Sequence, residues 1–181
     1  MSSTVLVTGA TGFVGRAVVK SLLDTEYAII VAVRDEGVCF SERVRSCYLK
    51  DISVDTNWNQ VVEDVDVIIH LAARVHIMND DASDPLSSFR EVNTEGALNL
   101  ARQAAEAGVE RFIFLSSIGV NGNNNCSPYT EEGSCNPQEP YAISKYEAEL
   151  GLRAIANDTN MEVVIIRPPL VYGVNAPGNF G

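Results

Sequence analysis

Thr4-Val5-Leu6-Val7-Thr8-Gly9-Ala10-Thr11-Gly12-Phe13-Val14-Gly15 is the stretch on which the fold turns. A short β-branched run meets three glycines at a spacing of three, and a helix-period pattern follows as far as Asp24. After a strand, Gly9 permits a tight turn, Gly12 lets backbone N–H groups approach a pyrophosphate, and Gly15 lets the helix pack on the strand. The helix N-terminus adds partial positive charge where such an anion would sit. Glycines alone build many turns, but between a strand and a helix they point to a dinucleotide. Thr11, Phe13 and Val14 fill the same loop and join Gly9, Gly12 and Gly15 as candidate cofactor contacts.

Working outward, runs rich in Val, Ile and Leu recur at Thr4–Thr8, Ala28–Val33, Ser46–Leu49, Val65–Leu71, Arg111–Ser116 and Glu162–Arg167. Most are apolar throughout, as strands covered on both faces must be. Helices are expected over Phe13–Asp24, Ser87–Ala107 and Tyr141–Asn157, and Asn121–Pro140 reads as a long loop. This alternation predicts an α/β fold: a doubly wound parallel sheet of Rossmann type, three layers deep as α/β/α. With 181 residues the chain can bury one substantial core. Residues 1–167 are expected to form the NAD(P)-binding domain.

Ligands of open α/β sheets bind at the C-terminal strand ends. The second strand ends Val33-Arg34-Asp35, about 20 residues past the glycine loop, where an acid would bond ribose hydroxyls and an arginine would pair with a 2′-phosphate. Arg34 tilts the expectation from NAD toward NADP; the alternative is a solvated strand-end charge. Asp51 and Ile52 follow the third strand, and Leu71, Ala72 and Ala73 follow the fourth, so all five are cofactor candidates.

Tyr141 and Lys145 stand four residues apart at the start of the last helix, on one face. A free phenol is a poor base at neutral pH, but a neighbouring ammonium and an oxidised nicotinamide would favour the phenolate. So tuned, Tyr141 serves as general acid/base. Ser117, at the end of the fifth strand, can hydrogen-bond the oxygen that gains or loses the proton, with Ser116 the weaker candidate for that role.

These residues resemble the extended short-chain dehydrogenases/reductases of the nucleotide-sugar epimerase/dehydratase family, including bacterial UDP-sugar 4-epimerases and 4-keto-sugar reductases. Carrying the likeness are Thr8 to Gly15, His70-Leu71-Ala72-Ala73, Asn93 within Glu91 to Gly96, Ser116-Ser117, Tyr141 to Lys145, and Arg167-Pro168-Pro169-Leu170-Val171-Tyr172-Gly173. The resemblance implies that Ser117, Tyr141 and Lys145 are catalytic, that Asn93 lies near the cofactor, that Pro168 begins the segment passing the nicotinamide, and that residues 168–181 start a truncated substrate-binding region, most of which is missing. It implies an NAD(P)-dependent epimerase or reductase acting at C4 of a nucleotide sugar, UDP-glucose 4-epimerase-like, and a homodimer in the full-length protein. Ser117, Asn121 and Asn179 are the substrate candidates. Asn121 replaces the tyrosine of the family's V-Y-G pattern, and Arg34 replaces the acid of NAD-retaining epimerases. Two other readings stand beside this one: an NADPH-dependent reductase of a non-sugar ketone, and a non-catalytic cofactor-sensing regulator.

The composition excludes several partners. A net charge of −11 opposes nucleic acid and anionic membrane surfaces, so phosphate must be held locally. Cys39, Cys47, Cys126 and Cys135 form no CxxC pair, His70 and His76 lack zinc spacing, and no metal site is expected. Reduced thiols, no leader peptide and no 20-residue apolar run give a cytoplasmic expectation without a membrane segment. The chain as given is expected to bind NAD(P), to turn over sugars slowly, and to expose apolar surface that favours self-association.

Overall fold

The computed structural model describes residues 3–75, 84–124, 127–174 and 176; His76, Cys126 and Asn179 lie outside them. Six strands form one parallel sheet: β1 (Thr4–Thr8), β2 (Ala28–Val33), β3 (Val44–Tyr48), β4 (Val67–His70), β5 (Arg111–Leu115) and β6 (Glu162–Ile166). Their order is β3-β2-β1-β4-β5-β6. The chain winds outward from β1 to β3, then returns past β1 to lay down β4, β5 and β6. The strand order reverses between β1 and β4, and a crevice opens at the C-terminal edge there.

Strand alternation sends two sets of side chains to opposite faces. Val5, Val7, Ile29, Val31 and Val33 meet Val19 of α1 (Phe13–Leu23). Leu6, Ile30, Ile68, Phe112 and Phe114 form the larger core, packed with α2 (Asn59–Val62), α4 (Ala97–Ala107) and α5 (Pro140–Asp158). Three layers result, as expected. Arg43 anchors the end of α1 by donating to the carbonyls of Leu23 and Thr25 at 2.6 and 2.7 Å, which supplies partners for helix-end acceptors. Gly151 lets α5 approach α4, since a Cβ there would stand 2.6 Å from Leu98.

The structure corrects the sequence reading in several places. The third strand lies earlier, at Val44–Tyr48, and the fourth is the shorter Val67–His70. The strands are not uniformly buried: β3 and β6 are sheet edges, and β6 exposes Val164 (40%) and Ile166 (44%). The single helix expected over Ser87–Ala107 is three segments: α3 (Pro85–Arg90), a π turn over Glu91–Gly96, and α4. Asp84 caps α3, its carboxylate accepting from the Ser87 N–H. The loop assigned to Asn121–Pro140 starts inside a 3-10 turn, Ile118–Asn121. The helix α2 had no clear period, and the fully buried Trp58 before it anchors that corner. No helix among the described residues is long and apolar enough to cross a membrane.

Candidate functional site

The glycine loop is built by close approach. Gly9 has φ +69°, and a Cβ there would stand 2.6 Å from the Ala72 nitrogen, so the loop lies directly against the end of β4. A side chain at Gly15 would collide with the Gly9 carbonyl, which already accepts from the Gly12 N–H at 3.0 Å. Gly12 caps α1 without a side chain, leaving the first-turn N–H groups of Phe13, Val14 and Gly15 to a ligand. Thr11 is exposed at the rim, its carbonyl accepting from Arg16 Nε. This cradle, too narrow for a Cβ and rimmed by open N–H groups, fits a pyrophosphate.

Thr8 and His70 join β1 to β4 beneath the loop. Thr8 Oγ1 lies 2.9 Å from His70 Nδ1 and accepts from the Ala72 N–H at 3.3 Å. Burial, with the Lys145 charge nearby, pulls His70 down to about 3, so the ring is neutral. It stacks on Phe114, ring centroids 5.9 Å apart.

Around this cradle stand the other expected contacts. Arg34 is exposed at the end of β2, and its side chain makes no hydrogen bond to the described residues. The neighbouring Asp35 is committed to a turn, accepting from the Gly37 N–H at 2.9 Å. Asp51 is exposed, while Ile52 packs on the π turn, where a Cβ on Gly96 would come within 2.9 Å of it. Leu71, Ala72 and Ala73 are half-buried along the loop after β4.

The π turn explains Asn93. One extra residue in the turn aims this side chain inward, where it is fully buried. Its Oδ1 accepts from the Arg74 N–H at 2.8 Å, and its Nδ2 donates to the Arg74 carbonyl at 3.0 Å and to Ser144 Oγ at 3.1 Å. Ser144 in turn donates to the Tyr141 carbonyl at 2.7 Å. Asn93 thus ties the loop after β4 to the first turn of α5.

That first turn carries Tyr141, half-buried and edge-on to Phe89 at 6.0 Å between centroids. Burial raises Tyr141 above the ordinary phenol value. In the chain alone burial thus favours the protonated phenol over the phenolate expected from its ammonium neighbour. Lys145 is 1% exposed, its Nζ 4.1 Å from the centre of the Phe114 ring. Burial draws it down to about 7, against the raising effect of Glu149. Ser117 is half-buried at the end of β5, its Oγ accepting from the Gly119 N–H at 3.1 Å.

Two candidates are turned into the protein. Ser116 is buried and donates to Glu149 Oε1 at 2.5 Å. Asn121 is buried, and its Oδ1 accepts from Arg167 at 3.2 Å. Pro168 accepts from the Ile118 N–H at 3.1 Å and so fastens the chain after β6 beside Ser117. Sequence reasoning missed Glu149. Its place at i+4 from Lys145, in line with the buried Ala148 and Leu152, was the available signal.

In sequence and fold the chain is similar to known proteins. Residues 5–180 match the family described as NAD dependent epimerase/dehydratase. The chain is 44% identical to a UDP-glucose 4-epimerase of Vibrio cholerae, covering 99% of this chain and 55% of that protein. It is 31% identical to a UDP-glucose 4-epimerase of Mycolicibacterium smegmatis, over 93% of this chain and 56% of that one. The structure of UDP-glucuronic acid 4-epimerase from Bacillus cereus with NAD shares the fold at TM-score 0.80 and 22% identity, covering 94% of this chain and 57% of that one. The chain therefore spans about half the length of the curated relatives it matches. The glycine cradle at the β1–β4 reversal, the Ser-Tyr-Lys set and a match along nearly the whole sequence lead to one assignment: the chain belongs to the NAD dependent epimerase/dehydratase family.

Proposed function

We propose that this chain is the cofactor-binding and catalytic part of a UDP-sugar 4-epimerase, working through Ser117, Tyr141 and Lys145. The observation that carries the reading is the burial of Lys145 against Phe114, one helical turn beyond Tyr141 and fastened to the cofactor side by Asn93 and Ser144. Residues 1–167 hold the cofactor, and 168–181 start the substrate-facing region. NAD, when bound, would supply reversible hydride acceptance at a sugar carbon. Gly9, Gly12, Gly15 and the first-turn N–H groups of α1 hold its pyrophosphate. Thr11, Phe13, Val14, Asp51, Ile52 and the Leu71-Ala72-Ala73 loop line the rest.

Tyr141 Oη moves the proton of the sugar hydroxyl, Lys145 Nζ adds the positive charge that eases its departure, and Ser117 Oγ orients the oxygen. The likeness to UDP-glucose 4-epimerases supports a UDP-linked hexose as substrate. The free thiols of Cys39, Cys47 and Cys135 support a reducing, cytoplasmic setting, and the bare apolar strip on β6 supports a homodimer. Exposed Arg34 favours a second reading, an NADPH-dependent reductase of a 4-keto sugar, in which the guanidinium takes the 2′-phosphate.

Incubation with NAD and UDP-galactose, followed by proton NMR, tests the choice. UDP-glucose forming without net NADH supports the epimerase. Stoichiometric NADPH consumption on a 4-keto sugar would replace it with the reductase. Tight cofactor binding with neither reaction, for any UDP-hexose, would overturn both.

A further inference from the structure

The helix that carries Tyr141 and Lys145 holds another buried charged group that this chemistry does not use. Glu149 stands one turn beyond Lys145 and is fully enclosed. Its Oε1 accepts from Ser116 Oγ at 2.5 Å and from Arg167 Nε at 2.9 Å, and its Oε2 accepts from Arg167 Nη2 at 2.5 Å. Such a two-pronged arginine contact fixes a carboxylate in orientation as well as in place. Arg167 also donates to Asn121 Oδ1 and to Cys135 Sγ, both at 3.2 Å. One network therefore joins β5, α5, the residue after β6 and the loop beyond the 3-10 turn.

Three elements bring a ring or a charge to Lys145. From β5 comes the Phe114 ring, and from β4 the neutral His70. Its own helix contributes Tyr141 and Glu149, and Arg167 after β6 stands behind Glu149. Among these groups Glu149 is the one negative charge. Burial alone would strip the ammonium of its proton, and Glu149 opposes that loss.

We propose that Glu149 is a positioning residue for the Tyr141–Lys145 pair: its carboxylate, oriented by Arg167 and Ser116, keeps the buried Lys145 charged and seated over Phe114. The catalytic meaning rests on the epimerase reading, but the burial of Lys145 and Glu149 one helical turn apart is present in the chain without cofactor or sugar.

The chain has three lysines, and Lys20 and Lys50 are exposed. Titration of lysine labelled with carbon-13 at Cε therefore follows Lys145 against two internal references. Glu149→Gln is expected to move the Lys145 midpoint down by about 1 pH unit or more, because the opposing charge is lost. Arg167→Met is expected to move it up, because Glu149 is left facing Lys145 without its competitor. General loosening would raise the midpoint in both variants by admitting water, so the opposite directions separate this role from a structural one. An unchanged or raised midpoint in folded Glu149→Gln overturns the proposal. Should that variant fail to fold, Arg167→Met with a native amide spectrum decides, and an unchanged or lowered midpoint overturns it. Absence of epimerase activity would leave this result untouched, so the two readings fail separately.

Discussion

Replacing Lys145 by methionine should stabilise the fold while removing activity. Lys145 is 1% exposed, and its ammonium is drawn from 10.5 to about 7 by burial. At about 1.4 kcal/mol per unit, the 3.5 units between those values correspond to a penalty on the order of 5 kcal/mol for the charged side chain. The contact with Phe114 returns about 2 kcal/mol in a desolvated setting, which leaves about 3 kcal/mol against the native lysine. Methionine matches the stem in length and keeps a favourable contact with the ring. Urea unfolding at pH 6 should therefore show Lys145→Met more stable by about 3 kcal/mol, or roughly 6–12 °C in Tm for a chain of this size. The pH dependence carries the same test. A lysine with a depressed folded value binds fewer protons folded than unfolded between pH 7 and 10.5, so native stability rises through that window as the penalty is relieved. Below pH 7 the penalty is fully present. The advantage of Lys145→Met should hence be largest below pH 7 and shrink toward pH 10. A variant less stable than the native chain at pH 6 would refute the argument.

Tyr141→Phe should retain cofactor binding and lose activity by 10²–10⁴-fold, the usual contribution of a general acid/base; near-native turnover would remove Tyr141 from the mechanism. Arg34→Ala should weaken NADP(H) binding selectively and leave NAD(H) nearly unchanged, as read by calorimetry; equal losses for both would discard the 2′-phosphate contact. The apolar strip of Val164, Ile166, Leu170, Val171 and Tyr172 should drive concentration-dependent self-association, which Ile166→Lys should reduce in sedimentation velocity; a chain monomeric at all concentrations would contradict this.

What the sequence made legible followed from local rules. The strand, glycine loop and helix of residues 4–23 were readable because each glycine answers to a backbone approach, and Gly9 against Ala72 bears that out. The central strands β1, β2 and β4 lie under helices and read as apolar runs, whereas β3 and β6 are edges whose exposure depends on their place in the sheet order. The π turn was invisible, since one inserted residue in a helix leaves the hydrophobic period of the flanking segments nearly intact. Tyr141 and Lys145 could be paired by spacing. The inward turn of Asn121 and Ser116 could not be seen, because both answer to Glu149 and Arg167, which come from distant parts of the chain.

The central claim, that the cradle at the β1–β4 reversal holds a nicotinamide dinucleotide, is tested most directly by calorimetric titration of the chain with NAD and NADP beside Gly12→Asp. A carboxylate there faces the pyrophosphate position at the start of α1. The account predicts one dinucleotide bound per native chain and none by the folded variant. A folded native chain that binds neither dinucleotide, or a Gly12→Asp chain that binds as tightly as the native one, would contradict it.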